Sequence, residues 1–303
     1  MKQKRKFYIY GILFALPWII GFFIFELYPV GASLYYSFTE FSIFQPPEFT
    51  GLENITTLLA DKKFYLSLYN TAYITLVGIP LGLVYSLAMA MLLNIKVRGM
   101  SIFRTVFYIP TIVPIVASAI LFVWILNPQY GMLNSLLDFL GLPQPAWLSD
   151  PRYTKPSLIM MDLWRSGQTM IVYLAALQGV PQNIYEAADI DGAGRVKKFW
   201  NITLPAISPA TLFLFIMGLI SSFQYFTQAY VFASTSGASA MQQVSGGPEN
   251  SLLFYSIYLY QNAFSFLKMG YASAMAWILF IVIVLVTVVV FKTSKRRVYY
   301  DFE

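Results

Sequence analysis

Of the 303 residues, 58% are hydrophobic and only 11% charged, whereas a soluble domain carries about 25% charge, so most of the chain belongs in lipid. There is no cysteine and no histidine, which excludes disulfides and thiol chemistry and removes the commonest general base and metal ligand. The net charge of +6 is not a nucleic-acid signature, because its distribution follows membrane topology instead.

The chain opens with Lys2, Lys4, Arg5 and Lys6, then an apolar run over 7–29. That run exceeds the roughly 7–15 residues of a signal-peptide core and reads as a retained first span, since a bilayer needs about 20. A turn-rich, exposed connection follows, from Tyr28-Pro29 past Ser37-Phe38 to Gly51-Leu52-Glu53-Asn54. The second span is expected over 70–93, with Pro80 inside it, and a short basic loop carries Lys96, Arg98 and Arg104. The third, 105–126, contains Pro110 and Pro114 and is expected to kink. A loop rich in Pro, Gly and Asn over 127–155 offers Trp147 as an interfacial anchor. The fourth span is expected over 156–178 and the fifth over 210–232. A loop over 233–268 contains Gly246-Gly247-Pro248. The sixth span, 269–291, leads to a tail with Lys292, Lys295, Arg296 and Arg297.

Six spans put both termini on one side. Placing the 94–104 and 180–209 loops there too collects 14 of the 20 Lys and Arg, so that side is expected to be cytoplasmic.

Two charged side chains fall well inside the fourth span. Asp162 and Arg165 are three apart on the fourth, close enough to be neighbours on one helical face. Each costs about 2.5–3.5 kcal/mol at the centre of a lipid-facing helix, so both are expected to face protein. Three readings stay open: a substrate-pathway lining with Trp164 and Gln168 nearby, a local ion pair joining helices, or a site close enough to the interface to be wetted. The fifth span carries a compact polar patch from Ser221 to Gln228, including Ser222 and Tyr225. Hydroxyls, an amide and aromatic faces suit a neutral polyol, while helix–helix hydrogen bonding accounts for the same residues. Glu26 reads as a wetted interfacial group, and the many Tyr and Phe as an aromatic belt.

Between the fourth and fifth spans the chain turns polar over 180–209. Pro181 suits the first turn of a helix, Asp191-Gly192 is a turn signal, and a second short helix is expected after it. Glu186-Ala187-Ala188, then Gly192, then Ile202-x-Leu204-Pro205 resemble the EAA loop of bacterial ABC importer permeases. In that family the loop is the coupling helix that docks on a cytoplasmic ATPase. The resemblance thus assigns coupling to Glu186, Ala187, Ala188, Asp191, Gly192 and Pro205. The pattern Tyr28-Pro29…Ser37-Phe38…Gly51-Leu52-x-Asn54 is similar to the first permease of a carbohydrate-importer pair of the maltose-transporter type. In such permeases the part of the fifth span holding Ser222 and Tyr225 contributes to the substrate cavity, although some relatives place a smaller amide where Tyr225 stands.

The fold so implied is all-α: a polytopic membrane protein with six transmembrane helices and a cytoplasmic coupling helix between spans four and five. It forms a single domain over 1–303 with its core at about 66–292, in the plasma membrane with both termini cytoplasmic. The resemblance implies a second permease, two cytoplasmic ATPase subunits, an extracytoplasmic solute-binding protein and a sugar cargo as partners, besides lipid. The chain has no G-x-x-x-x-G-K-[ST], H-E-x-x-H or G-x-S-x-G. No catalytic residue and no cofactor of its own is expected, ATP and Mg being bound by the ATPase partners. Alternatives are a permease for a polyol phosphate or acidic oligosaccharide, or an ion-coupled secondary transporter, for which only Asp162 offers a coupling carboxylate.

Overall fold

Long apolar runs give helices throughout, and prolines, glycines and short polar clusters decide where those helices break. The computed structural model describes residues 2–235 and 246–294. Lys295, Arg296 and Arg297 of the expected basic tail lie outside the described residues. In chain order the helices begin with α1 (Lys2–Gly21), which passes through a π-helical turn at Phe22–Leu27 into α2 (Tyr28–Tyr36). A hairpin follows, β1 (Thr39–Ser42) and β2 (Gln45–Phe49), then α3 (Glu53–Ala60) and α4 (Lys62–Tyr73). A second π turn at Ile74–Gly78 joins α4 to α5 (Ile79–Leu93). Next come α6 (Met100–Ile112), α7 (Ile115–Ile125), α8 (Met132–Phe139), α9 (Pro151–Trp164) and α10 (Gly167–Gln178). The polar segment holds α11 (Gln182–Ile190), α12 (Arg195–Lys198) and α13 (Leu204–Ala206), the last two joined by a π turn at Phe199–Thr203. Finally come α14 (Ser208–Phe223), α15 (Thr227–Thr235), α16 (Tyr255–Tyr260) and α17 (Met269–Ser294).

Among the described residues, three helical stretches are long and apolar enough to cross a membrane, namely Tyr10–Tyr36, Lys62–Leu93 and Met269–Ser294. Two bent pairs raise the number to five if each is one span. The third expected span is one of these pairs. Pro114 disfavours helical geometry at the residue before it, so Val113 is extended (φ −62°, ψ 131°) and α6 and α7 part by 99°. The fourth expected span is also divided, because α9 stops at Trp164 and α10 starts at Gly167. The fifth breaks between α14 and α15, within the polar patch.

The chain divides into two units. The first comprises Met1–Asp61 and Leu259–Ile281. Its antiparallel hairpin pairs Thr39 with Phe49 and Glu40 with Glu48, and this small sheet departs from the all-helical expectation. Pro46 and Pro47 lack N–H donors, and they fall where the register shifts, opposite the break between Glu40 and Ser42. Asn54 Nδ2 donates to the carbonyls of Ser37 and Thr39 at 3.0 and 2.8 Å, pinning α3 to the start of the hairpin. Gly270 is required there, because a Cβ would sit 2.0 Å from the Thr39 carbonyl oxygen. Trp277 Nε1 donates to Ser33 Oγ at 3.2 Å, and the Tyr271 hydroxyl to Asp61 Oδ2 at 3.0 Å.

The second unit comprises Lys62–Tyr258 and Val282–Glu303. Its apolar core lies where α5 meets α10, with Ala90, Leu93, Met170, Tyr173, Leu174 and Leu177 buried together with Ile207. Gly167 lets the start of α10 approach α6 closely, since a Cβ would lie 2.6 Å from Thr111 Oγ1 and 2.7 Å from the Phe107 carbonyl oxygen. In the 127–155 loop, Trp147 turns its indole N–H to Asn134 Oδ1 at 2.7 Å. That bond closes the loop on itself, a role beyond the interfacial anchoring expected of this tryptophan.

Candidate functional site

The polar patch of the fifth expected span falls where its helix ends. Backbone bonds tighten at Gln224 N–H to Ser221 O and Tyr225 N–H to Ser222 O, at 3.2 and 3.3 Å, before α15 resumes. A helix that breaks in lipid must line a cavity or be covered by protein. Here it lines a cavity of about 500 Å³. Asp162 from α9 reaches the same cavity, with Ser222, Gln224, Tyr225 and Gln228 from the break and Ile115 from the start of α7. The Tyr225 hydroxyl donates to Asp162 Oδ2 at 2.8 Å. Ser222 is buried, donating to the Leu219 carbonyl and sharing a 2.8 Å hydrogen bond with Thr75.

Of the residues singled out for a pathway, the cavity wall contains Asp162, Ser222 and Tyr225 but not Trp164, Arg165 or Gln168. Trp164 packs its ring 5.5 Å from that of Phe122, and Gln168 is exposed. Asp162 and Arg165 do not form the local ion pair. Arg165 lies past the end of α9 with φ −88° and ψ 6°, so the helical three-residue spacing no longer applies to it. Its Nη1 turns to the bend between α6 and α7 and donates to the carbonyls of Val113 (2.6 Å) and Pro110 (3.3 Å) and to Ser118 Oγ. Thr111 Oγ1 answers by donating to the Arg165 carbonyl at 3.0 Å. Arg165 therefore satisfies main-chain groups that the bend releases.

The 180–209 segment forms a hook. α11 starts one residue later than expected, with Pro181 at its N-cap in extended geometry (ψ 132°). It ends at Gly192, whose φ of +71° lets Ala193 N–H reach Ala188 O at 2.9 Å and Gly192 N–H reach Asp189 O at 3.1 Å, the glycine-dependent C-cap pattern. Lys198 then folds back to Asp189 Oδ1 at 2.6 Å, and the Tyr185 hydroxyl meets Thr203 Oγ1 at 2.8 Å. Glu186 and Ala187 are exposed, Ala188 is half-buried, and Asp191 is the C-cap residue of α11. Pro205 occupies the first turn of α13. The apolar side chains of Ile190, Val196 and Trp200 stand out from the hook, 88%, 72% and 61% exposed.

Sequence reasoning missed one feature of the site, the buried stripe Ser67, Asn70, Thr71 and Thr75 on α4 and the π turn after it. Its signal was present: Ser67, Thr71 and Thr75 recur every four residues, the spacing of one helical face. Thr71 Oγ1 accepts the Tyr255 N–H at 3.0 Å, and Asn70 binds the carbonyls of Asn250 and Leu253.

A helical membrane protein with a cavity at broken helices and an exposed hook has the architecture of a transport subunit. The comparisons with known proteins give the family. Residues 78–299 match the model of the binding-protein-dependent transport system inner membrane component, and the chain belongs to that family. It is 40% identical to the probable ABC transporter permease protein YesP of Bacillus subtilis (strain 168), covering 99% of this chain and 95% of that one. It is 33% identical to the lactose transport system permease protein LacF of Rhizobium radiobacter, over 97% of each. A solved bacterial alginate ABC transporter in complex with an alginate pentasaccharide-bound periplasmic protein matches with a TM-score of 0.81 and 25% identity, covering 97% of this chain and 96% of that one.

Proposed function

We propose that this chain is the membrane permease of an ATP-driven, binding-protein-dependent importer for a sugar or oligosaccharide. It works beside a second permease, two cytoplasmic ATPase subunits and an extracytoplasmic binding protein. On this reading the chain is one transmembrane domain over 1–303 with its core at about 66–292, and its bent and divided helices are members of six spans. Both termini and the 180–209 hook face the cytoplasm of a bacterial plasma membrane. Glu186, Ala187, Ala188, Asp191, Gly192 and Pro205 couple the chain to an ATPase, which holds the ATP and Mg. Cargo passes Asp162, Ser222 and Tyr225, and the chain performs no covalent catalysis.

The observation that carries this reading is the hook itself. Glu186-Ala187 is exposed on a helix whose end is fixed by Gly192 and by the Asp189–Lys198 pair, which is the form a rigid docking element needs. A sugar is favoured over a polyol phosphate or acidic oligosaccharide because, among the described residues, the cavity wall carries a carboxyl and no Lys or Arg, which gives an anionic group no counter-charge there.

The test is reconstitution. The purified chain alone is expected to hydrolyse no ATP, and the assembled complex with its binding protein is expected to drive ATP-dependent uptake. Uptake driven by an ion gradient with no ATPase subunit present would establish the secondary-transporter reading instead.

A further inference from the structure

Asn70 on α4 is buried and bonded in three directions. Its Nδ2 donates to the carbonyl oxygens of Asn250 at 2.9 Å and Leu253 at 3.0 Å, and its Oδ1 accepts from Lys155 Nζ at 2.7 Å. That ammonium lies 5.3 Å from the ring centroids of both Tyr69 and Tyr73, so two π faces hold it as well as one hydrogen bond. Thr154 on α9 adds a 2.9 Å bond to Ser251. The segment so held follows a φ of +73° at Gly247, which glycine allows, with two positive-φ residues that are not glycine, Glu249 at +50° and Asn250 at +58°. Such geometry persists where its surroundings over-determine it. Phe254, next after Leu253, is fully buried, and its ring lies 5.3 Å from that of Tyr225. A continuous line of contact thus runs from Lys155 through Asn70 and Leu253-Phe254 to Tyr225, whose hydroxyl meets Asp162 at the cavity wall.

We propose that Asn70 and Lys155 are positioning residues, a clamp that holds Phe254 behind the Tyr225 ring and so fixes the Tyr225–Asp162 contact. Only an amide serves at position 70, because it donates twice and accepts once at the same end of the side chain. The relevance of the clamp to cargo rests on the function proposed above; its existence does not.

The natural chain has no cysteine, so one introduced thiol reports cleanly. In the assembled transporter, Gln224→Cys places that thiol on the cavity wall, to be labelled with a small methanethiosulfonate reagent. Asn70→Asp turns a carboxylate toward two carbonyls, and Lys155→Met removes the cation. Each is expected to speed labelling by about fivefold, with Lys155→Arg restoring the original rate. A control thiol at Phe139→Cys on α8 is expected to label unchanged. Unaltered labelling at position 224 in assembled Asn70→Asp and Lys155→Met complexes overturns the clamp, and so does equal acceleration at position 139. Should Asn70→Asp fail to assemble, Lys155→Met decides, since it leaves the bonds from Asn70 to the main chain in place. Faster labelling with unchanged ATP-dependent uptake upholds the clamp and overturns the cargo role of the cavity.

Discussion

The guanidinium of Arg165 donates to the carbonyl oxygen of Val113 at 2.6 Å, one residue before the proline where α6 and α7 part by 99°. The bend leaves carbonyls without helical partners, and in lipid no water replaces them. A cation placed between two helical pieces answers that need. Arg165→Met is therefore expected to lower stability by about 2–3 kcal/mol, the worth of hydrogen bonds to a charged donor. Thermal unfolding of the detergent-purified protein measures it. An unchanged midpoint would show that the bend holds without the arginine.

At Gly192 backbone conformation and local crowding can be told apart as reasons for a glycine. Its φ is +71°, yet a Cβ there would meet nothing within 4 Å. Space is available, so only backbone conformation is restrictive. Gly192→Val should cost about 1–3 kcal/mol of local strain, while Gly192→Asn should be well tolerated, since Asn adopts this region readily. Binding-protein-stimulated ATPase activity of the complex should fall steeply for the first variant and stay near wild type for the second. Equal loss in both would point to close approach by a partner chain instead.

Tyr225→Phe offers a clean probe of the cavity, because it removes the donor to Asp162 and keeps the ring against Phe254. Uptake should drop several-fold with subunit stoichiometry intact. A bulky residue at position 222 is a poor probe, since Ser222 is 4% exposed and bonded to Thr75; its replacement disrupts packing before it blocks a path. Full uptake by Tyr225→Phe would leave the hydroxyl no part in transport.

Gly167→Ala should destabilise although alanine is the better helix former. The added methyl would press on the Phe107 carbonyl at 2.7 Å, and main chain yields less readily than a side chain. The expected loss is about 1–3 kcal/mol, as for other overpacked interiors, read as a lower unfolding temperature. Stabilisation would mean that α6 and α10 separate freely.

The helical character and the hook were legible in the sequence because both rest on local rules, namely apolar run length and a glycine after a short amphipathic helix. Asp162, Ser222 and Tyr225 were legible as polar groups in apolar surroundings, and the structure places all three at one cavity. Arg165 was misread because its three-residue spacing from Asp162 presumes a helix that ends at Trp164. The division of spans three to five was not legible in extent: Pro114 announces a break, but its 99° angle follows from what packs around it. Asn70 was taken as the start of a span, since its partners lie 180 and more residues away.

The π turn at Ile74–Gly78 sets the phase between α4 and α5. A wider turn accommodates an extra residue relative to the ordinary period, and one residue is worth about 100° of rotation. The stripe of α4 that faces Asn250 and Tyr255, and the side of α5 that packs on α10, are thus aimed independently within one uninterrupted rod. Shortening that rod by a single residue inside the turn would keep nearly every side chain and every apolar ångström of the span. It would also swing Ser67, Asn70 and Thr71 off their partners, so the length of this span is specified by angle as well as by the thickness of the bilayer.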